Sequence, residues 1–385
     1  MSTKIEPLVN DGYAGEPAKR ALQYIQSQRE QGGAVVGVYC SYAPLELIRA
    51  MGGVPAVLCA FANKTVEAAE VVLPANLCPL IKSSYGFIIT DTCPFFALSN
   101  AVIAETTCDG KKKMFELIST YRPMFVMDLP QLPDQKESQE NWTVMTKKLR
   151  TFLEATFNRK ITDESAEAEI KDTNMKNDMM NRIFDFAALK PSVISWNELY
   201  DLTFLAIPAR GGDIFPLLEE TIKKLEARVN EGVFFGKVDS PRVLITGCPV
   251  GGDATKVFRI IEEAGGVMVA VDNCTGMKLF MDRIEEDTDD PLAAIARRYL
   301  KIHCSCMTPN TRRLTELDKM ISRFKPDVIV DVILHACHSY NVESYKIKEH
   351  AKKVHGLPYL KIETDYSQGD VEQIRTRVES LFDSI

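Results

Sequence analysis

The chain has 385 residues, enough for two to three domains at about 150 residues each. It is 45% apolar and 26% charged, so it can bury full-sized cores and is not a disordered chain. Its 46 Lys and Arg against 53 Asp and Glu leave a net charge of −7, which argues against nucleic acid or an anionic membrane as the main partner.

Short Val- and Ile-rich runs alternate with amphipathic stretches, the pattern of parallel α/β units. Strands are expected at 34–40, 55–61, 100–107 and 123–129, with helices at 44–51, 80–89 and 112–120 between them. From about residue 135 to 230 the chain is charged and shows no strand pattern, so it reads as a helical segment. Strands resume at 242–247, 266–272, 327–335 and 358–363, and helices follow at 254–264, 292–300, 312–324, 343–355 and 371–382. The expected fold is α/β: two doubly wound, flavodoxin-like parallel-sheet domains at 1–134 and 241–385, with a helical linking segment at 135–240. No apolar run approaches the ~20 residues that span a bilayer. The N-terminus MSTKIEPLVNDGYAGEP lacks the basic flank and apolar stretch of a secretory signal, so the expected compartment is the cytoplasm.

In that reducing compartment the 10 Cys point to metal binding or redox chemistry, although a free Cys also serves as a small buried hydrophobe. Position favours the first. The segment GVYCSYAPLELIRAMGGVPAVLC lines up with ITGCPVGGDATKVFRIIEEAGGVMVAVDNC, each reading strand, Cys, helix, Gly-Gly-Val, strand, Cys. The matched cysteines are Cys40 and Cys59 in the first half, Cys248 and Cys274 in the second. A later strand again ends near a cysteine in each half, at Cys108 and Cys337. Ligands bind at the carboxyl ends of strands in such sheets, whereas core cysteines would fall inside the apolar runs as often as at their ends.

Structural zinc would show paired CxxC spacings, and none occurs. Cys304 and Cys306 form a CxC in HCSCMTPN, a weak signal alone. The dispersed set suits an iron–sulfur cluster held by thiolates from several loops. Cys78, Cys93 and Cys248 are each followed by proline, which leaves the backbone open beside a ligand but also occurs in ordinary loops. Cys78 opens a helix in LCPLIKSSYGF and Cys108 precedes one in TTCDGKKKM, where the helix dipole favours a thiolate. The three lysines of the second motif are read either as neighbours of an anionic ligand or as a solvated first turn. His335 and His338 flank Cys337, as hydrogen-bond donors to a ligand or as ordinary helix capping. GCPVGGDATK fails as a phosphate loop because Asp253 stands where lysine is required.

LCPLIKSSYGF, ETTCDGKKKM, TGCPVGG, NCTG, CSCMTPN, LHACHSY and IETDYS together resemble the 2-hydroxyacyl-CoA dehydratase D-component family, from about Gly37 to the C-terminus. The extra cysteines are most similar to its double-cubane cluster branch. The resemblance implies that Cys78, Cys108 and Cys337 hold one [4Fe–4S] unit. In the double-cubane branch two such units share a bridging sulfide, an [8Fe–9S] cluster that needs three further thiolates. Cys248, Cys274 and Cys306 are chosen for these, with Cys304 next and Cys40, Cys59 and Cys93 as outside candidates, the internal symmetry arguing for Cys40 and Cys59. The implied function is a reductase component, a homodimer that receives low-potential electrons from a separate ATP-hydrolysing activator (itself a homodimer with a [4Fe–4S] cluster) and reduces a small-molecule substrate. Two alternatives follow: a 2-hydroxyacyl-CoA dehydratase subunit with a single [4Fe–4S] cluster, or a non-catalytic electron-transfer protein. In the dehydratase reading Glu46 matches a family glutamate and would serve at the substrate pocket; its plainer reading is an exposed first-turn carboxylate.

Overall fold

The computed structural model describes Leu8, Val9, Gly12 and residues 15–385. Its first half runs α1 (Pro17–Glu30), β1 (Ala34–Val38), α2 (Leu45–Ala50), β2 (Gly53–Val57), α3 (Val66–Ala69), α4 (Pro79–Ile89), α5 (Pro94–Leu98), β3 (Ala101–Glu105), α6 (Asp109–Ile118) and β4 (Met124–Met127). Four helices follow without a strand: α7 (Lys136–Phe157), α8 (Asp163–Ala188), α9 (Trp196–Ala206) and α10 (Gly211–Glu231). The second half runs β5 (Arg242–Gly247), α11 (Lys256–Glu263), β6 (Val267–Asp272), α12 (Pro291–Leu300), α13 (Thr311–Phe324), β7 (Val328–Leu334), α14 (His338–His355), β8 (Tyr359–Thr364) and α15 (Val371–Phe382).

The strands form two four-stranded sheets, ordered β2-β1-β3-β4 and β6-β5-β7-β8, with every pairing parallel. β1, β3, β5, β6 and β7 are buried along their whole length, as strands covered by helices on both faces must be. This is why AVVGV reads as a continuous apolar run, and VIVDVIL as one broken only by the buried Asp331, rather than as alternating strands. The edge strands β4 and β8 are more exposed. The α/β expectation is met, and each sheet reverses strand order between its first and third strands. That reversal opens a crevice at the carboxyl ends of β1 and β3, and another at those of β5 and β7.

The repeat is visible in the backbone. Gly52 and Gly265 each follow a helix and adopt φ of +78° and +88°, the left-handed cap that turns the chain into β2 and β6. All eight expected strands are present. β2 lies two residues earlier than expected, because its register pairs Gly53–Val57 with Ala34–Val38 and releases residue 58 onward as a loop. α1, α3 and α5 were not expected. α6 and α14 start earlier than the periodicity suggests, since Cys108 and Cys337 occupy their N-caps.

The central helices tie the halves together. α7 lies against β4 and α12, while α8 touches α2 on one side and β6, α12 and α13 on the other. Buried side chains on α8 supply the bonds: Asn174 Nδ2 donates to the Ile284 carbonyl at 2.8 Å, and Lys176 Nζ donates to Ala206 and Ala209 carbonyls, both at 2.8 Å. The near-phosphate-loop segment serves the same end. Asp253 Oδ2 accepts the Asn63 amide at 2.7 Å, and the Asp253 amide donates to the Phe61 carbonyl at 2.8 Å, which clasps the two halves.

Candidate metal centre

The two crevices face one cavity of about 500 Å³, lined by residues of both halves. Nine of the ten cysteines line it. Cys40, Cys59 and Cys108 come from the ends of β1, β2 and β3; Cys248, Cys274 and Cys337 come from the ends of β5, β6 and β7. Cys78 leads into α4, and Cys304 and Cys306 lie on the α12–α13 loop. Cys93 is outside: it caps α5, where its Sγ accepts the Phe96 amide at 3.3 Å. Its following proline is thus an ordinary helix start. All ten are free thiols.

Two groups emerge within the cavity. In the first, the Cys337 thiol is hydrogen-bonded with that of Cys248, which pulls the Cys337 pKa below the usual thiol value. Burial pushes the Cys78 thiol up to about 12, and the nearby Cys337 and Cys108 add to that rise. Cys248 is the most buried of them, and its Sγ accepts the Leu334 amide at 3.4 Å. In the second group, the Cys304 thiol is bonded with that of Cys306, which draws the Cys304 pKa well down. Cys274 and Cys40 sit close enough to Cys304 for their charges to be felt. Cys248, expected near Cys337 together with Cys274 and Cys306, stands directly beside it.

Local structure explains why the first group converges. Cys78, Cys108 and Cys337 are the N-caps of α4, α6 and α14, so three helix N-termini aim at one space. Cys108 Sγ accepts the Lys111 amide at 3.4 Å. Each N-terminus carries a partial positive charge that favours a thiolate. At Cys337 the approach is set by Ala336, which takes φ +58°, a strained conformation for a residue with a side chain.

Buried cations complete the site. Of the three lysines at 111–113, Lys112 pairs with Asp109 and Lys113 with Glu116 in solvent, but Lys111 turns inward and lines the cavity. Its Nζ donates to the Tyr39 carbonyl at 3.1 Å. Burial opposes its charge, yet the surrounding Cys40, Cys59, Cys108 and Glu105 hold its pKa well above the usual lysine value. Glu105 is fully buried without a hydrogen-bond partner for either oxygen, and burial lifts its carboxyl to about 8. From the other half comes Lys278, also fully buried, 3.6 Å from Asp272 and with no hydrogen-bond partner at Nζ. Its charge reaches both Cys274 and Cys304. Sequence reading missed Lys278 and left Lys111 open. The available signal was spacing: Lys111 lies three residues after Cys108, one turn into α6, and Lys278 lies four after Cys274, across a turn.

One flanking residue differs from expectation. Glu46 is neither exposed nor part of the cavity lining: it is 1% exposed and accepts the Tyr299 hydroxyl at 3.0 Å. Tyr299 also accepts the Leu45 amide at 3.1 Å, so the pair pins the start of α2 to α12. His338 lines the cavity, whereas His335 is half-exposed, 3.8 Å from Asp365.

Chemically, the cavity offers many soft sulfur donors, no paired-cysteine knuckle, and buried positive charge. That donor set fits an anionic iron–sulfur centre better than zinc. No helix among the described residues is long and apolar enough to cross a membrane.

Comparison with known proteins agrees with the cysteine pattern. The chain is 39% identical over 381 residues to the putative dehydratase YjiM of Escherichia coli (strain K12), covering 98% of each. It is 22% identical over 371 residues to the (R)-phenyllactyl-CoA dehydratase beta chain of Clostridium sporogenes, covering 94% of this chain and 95% of that one. Against the lactoyl-CoA dehydratase beta chain of Anaerotignum propionicum it is 22% identical over 378 residues, covering 97% and 96%. Residues 40–385 match the family described as 2-hydroxyglutaryl-CoA dehydratase, D-component, and the chain belongs to that family.

Proposed function

We propose that this protein is an iron–sulfur reductase component of the double-cubane type. In this reading it holds an [8Fe–9S] cluster in the cysteine-lined cavity, receives electrons from an ATP-hydrolysing activator that carries its own [4Fe–4S] cluster, and reduces a small molecule. The observation that carries the reading is the convergence of nine thiols on one cavity, where a single cubane needs only three or four. Cys78, Cys108 and Cys337, the three helix caps, would hold one unit. The second would take three of Cys248, Cys274, Cys304 and Cys306; Cys274 with the Cys304–Cys306 pair is the set supported by proximity. Bound there, the group would supply electrons at low potential, since iron–sulfur couples extend to roughly −700 mV.

The chain's own residues have definite tasks in this scheme. Lys111 and Lys278 offset thiolate charge from opposite sides, where the low-dielectric surroundings make each ammonium count. The apolar wall, including Leu77, Ile81 and Leu334, limits water beside the sulfurs. Each chain carries a full cysteine set, which supports a homodimer of identical chains, in the cytoplasm.

A second reading keeps the same cavity but one [4Fe–4S] cluster, making the chain a lyase: a 2-hydroxyacyl-CoA dehydratase component with a different partner chain. The naming of the Clostridium sporogenes and Anaerotignum propionicum relatives as dehydratase components favours it. Anaerobic iron and sulfide analysis separates the two, with about eight irons per chain expected for the double cubane and about four for the dehydratase. Serine at Cys78, Cys108 or Cys337 is expected to remove about half of the iron, and serine at Cys93 none. Loss of all iron-binding capacity from the wild-type chain would sink both readings, and turnover without ATP and activator would sink the activator's part.

A further inference from the structure

A second group of metal-ligating side chains lies apart from the cysteine cavity, between α13 and α14. His350 and His355 stand in the last turns of α14, and Asp318 meets them from α13. His350 Nε2 is 2.5 Å, and His355 Nε2 2.6 Å, from the same Asp318 Oδ1. The imidazoles are edge-on to one another, with centroids 5.4 Å apart. One ligand atom from each residue lies within 4.8 Å of the others.

Helix capping by one histidine would not need both rings to turn Nε2 onto a single oxygen. Two imidazole nitrogens and a carboxylate converging on one point instead form the three-ligand set typical of zinc with an open fourth position. Metal–ligand distances of about 2.0–2.2 Å put tetrahedral ligand atoms about 3.3–3.5 Å apart, so each imidazole nitrogen has to draw back from the Asp318 oxygen by less than ~1 Å. The side chains are partly exposed, at 17% for His350, 21% for His355 and 42% for Asp318, so an ion and a completing water can enter. The nitrogen-rich set suits zinc, cobalt or nickel rather than magnesium or calcium. The two histidine bonds also help keep the Asp318 carboxyl ionised against partial burial.

We propose that Asp318, His350 and His355 bind one divalent transition-metal ion of the zinc class. The ion fastens the C-terminal end of α14 to α13. Because α14 begins at the residue after Cys337, and twelve helical residues span roughly 18 Å from His338 to His350, the clip steadies the helix that presents Cys337 without entering the cavity.

The test uses anaerobically purified full-length protein with its cysteine cavity as isolated, titrated with zinc chloride. Wild type is expected to bind one zinc ion more than each of His350→Ala, His355→Ala and Asp318→Asn. Its melting temperature should rise by roughly 2–4 °C at saturating zinc, with no such rise in the variants. Equal zinc stoichiometry and equal thermal shifts in wild type and all three variants would overturn the proposal. Zinc X-ray absorption of the wild-type protein requires no variant to fold and separates this site from the thiols. Imidazole scattering from the bound zinc is expected, and a first shell of sulfur alone would overturn the assignment.

Discussion

Lys111 Nζ donates a 3.1 Å hydrogen bond to the carbonyl oxygen of Tyr39, fixing a buried ammonium at the carboxyl end of β1. The same oxygen accepts the Cys59 thiol at 2.9 Å, so cation and sulfur are held side by side on one backbone group. A polar side chain this deeply buried is costly unless its charge is answered, and here thiols of Cys40, Cys59 and Cys108 surround it. The bond turns one of three consecutive lysines into a part of the site while its neighbours remain in solvent.

Replacing Lys111 with Met removes that positive charge at similar side-chain length. A unit charge several ångströms away is worth roughly 2–3 kcal/mol at an effective dielectric near 20, about 100 mV for one electron. Lys111→Met is therefore expected to move the reduction potential of the proposed iron–sulfur centre about 50–150 mV more negative, and Lys111→Arg to restore most of it. Redox titration followed by electron paramagnetic resonance reads the shift. An unchanged potential in the Met variant would remove Lys111 from the electrostatics of the site.

Gly86 lies on the face of α4 that meets the Thr65 backbone. A Cβ there would fall 2.0 Å from the Thr65 carbonyl oxygen, and neither backbone can yield cheaply. Gly86→Ala is expected to destabilise the protein by about 1–3 kcal/mol through overpacking. It should also lower iron content by tilting the helix that carries Cys78 at its cap. Chemical denaturation and iron analysis check both effects; wild-type stability in the alanine variant would contradict this packing argument.

Glu262 supplies a pH signature remote from the cavity. Burial, together with the nearby Glu198 charge, lifts its carboxyl from an ordinary 4.5 to about 7. Its Oε1 has no partner, while the other oxygen accepts Asn197 Nδ2 at 3.2 Å. The folded protein therefore holds a proton that the unfolded chain releases at lower pH, so the residue costs stability as pH rises from about 4.5 through 7. Glu262→Gln is expected to match wild type near pH 4.5 and to gain about 1–2 kcal/mol on it by pH 8. Urea titrations of the two proteins at both pH values measure the difference, and parallel pH profiles would contradict the shift.

Much of the fold was legible because parallel strands covered on both faces must be largely apolar, and the runs of β1, β3, β5, β6 and β7 stand out for that reason. Cys78 and Cys108 were placed at helix starts from proline and polar neighbours alone, and both are N-caps. Cys93 carries the same Cys-Pro signature yet points away from the cavity, since a helix start does not say where the helix lies. Glu46 was misjudged for a related reason. A carboxylate in a first turn is ordinarily solvated, and only tertiary packing, α8 against α2 with Tyr299 reaching in from α12, buries it. Cys40 and Cys59, held as outside candidates on the internal symmetry, both line the cavity.

The amino-acid sequence by itself determined the strand order, most of the helices that follow the strands, the internal duplication and the ends of strands at which sulfur accumulates. These depend on neighbours within a few residues of one another, where periodicity and capping chemistry operate. Only the tertiary structure decided that two crevices open into one cavity, that Cys248 stands beside Cys337, and which lysine enters. Those outcomes depend on how helices from distant parts of the chain bring the carboxyl ends of the two sheets to one cavity, and spacing along a chain carries no record of such contacts.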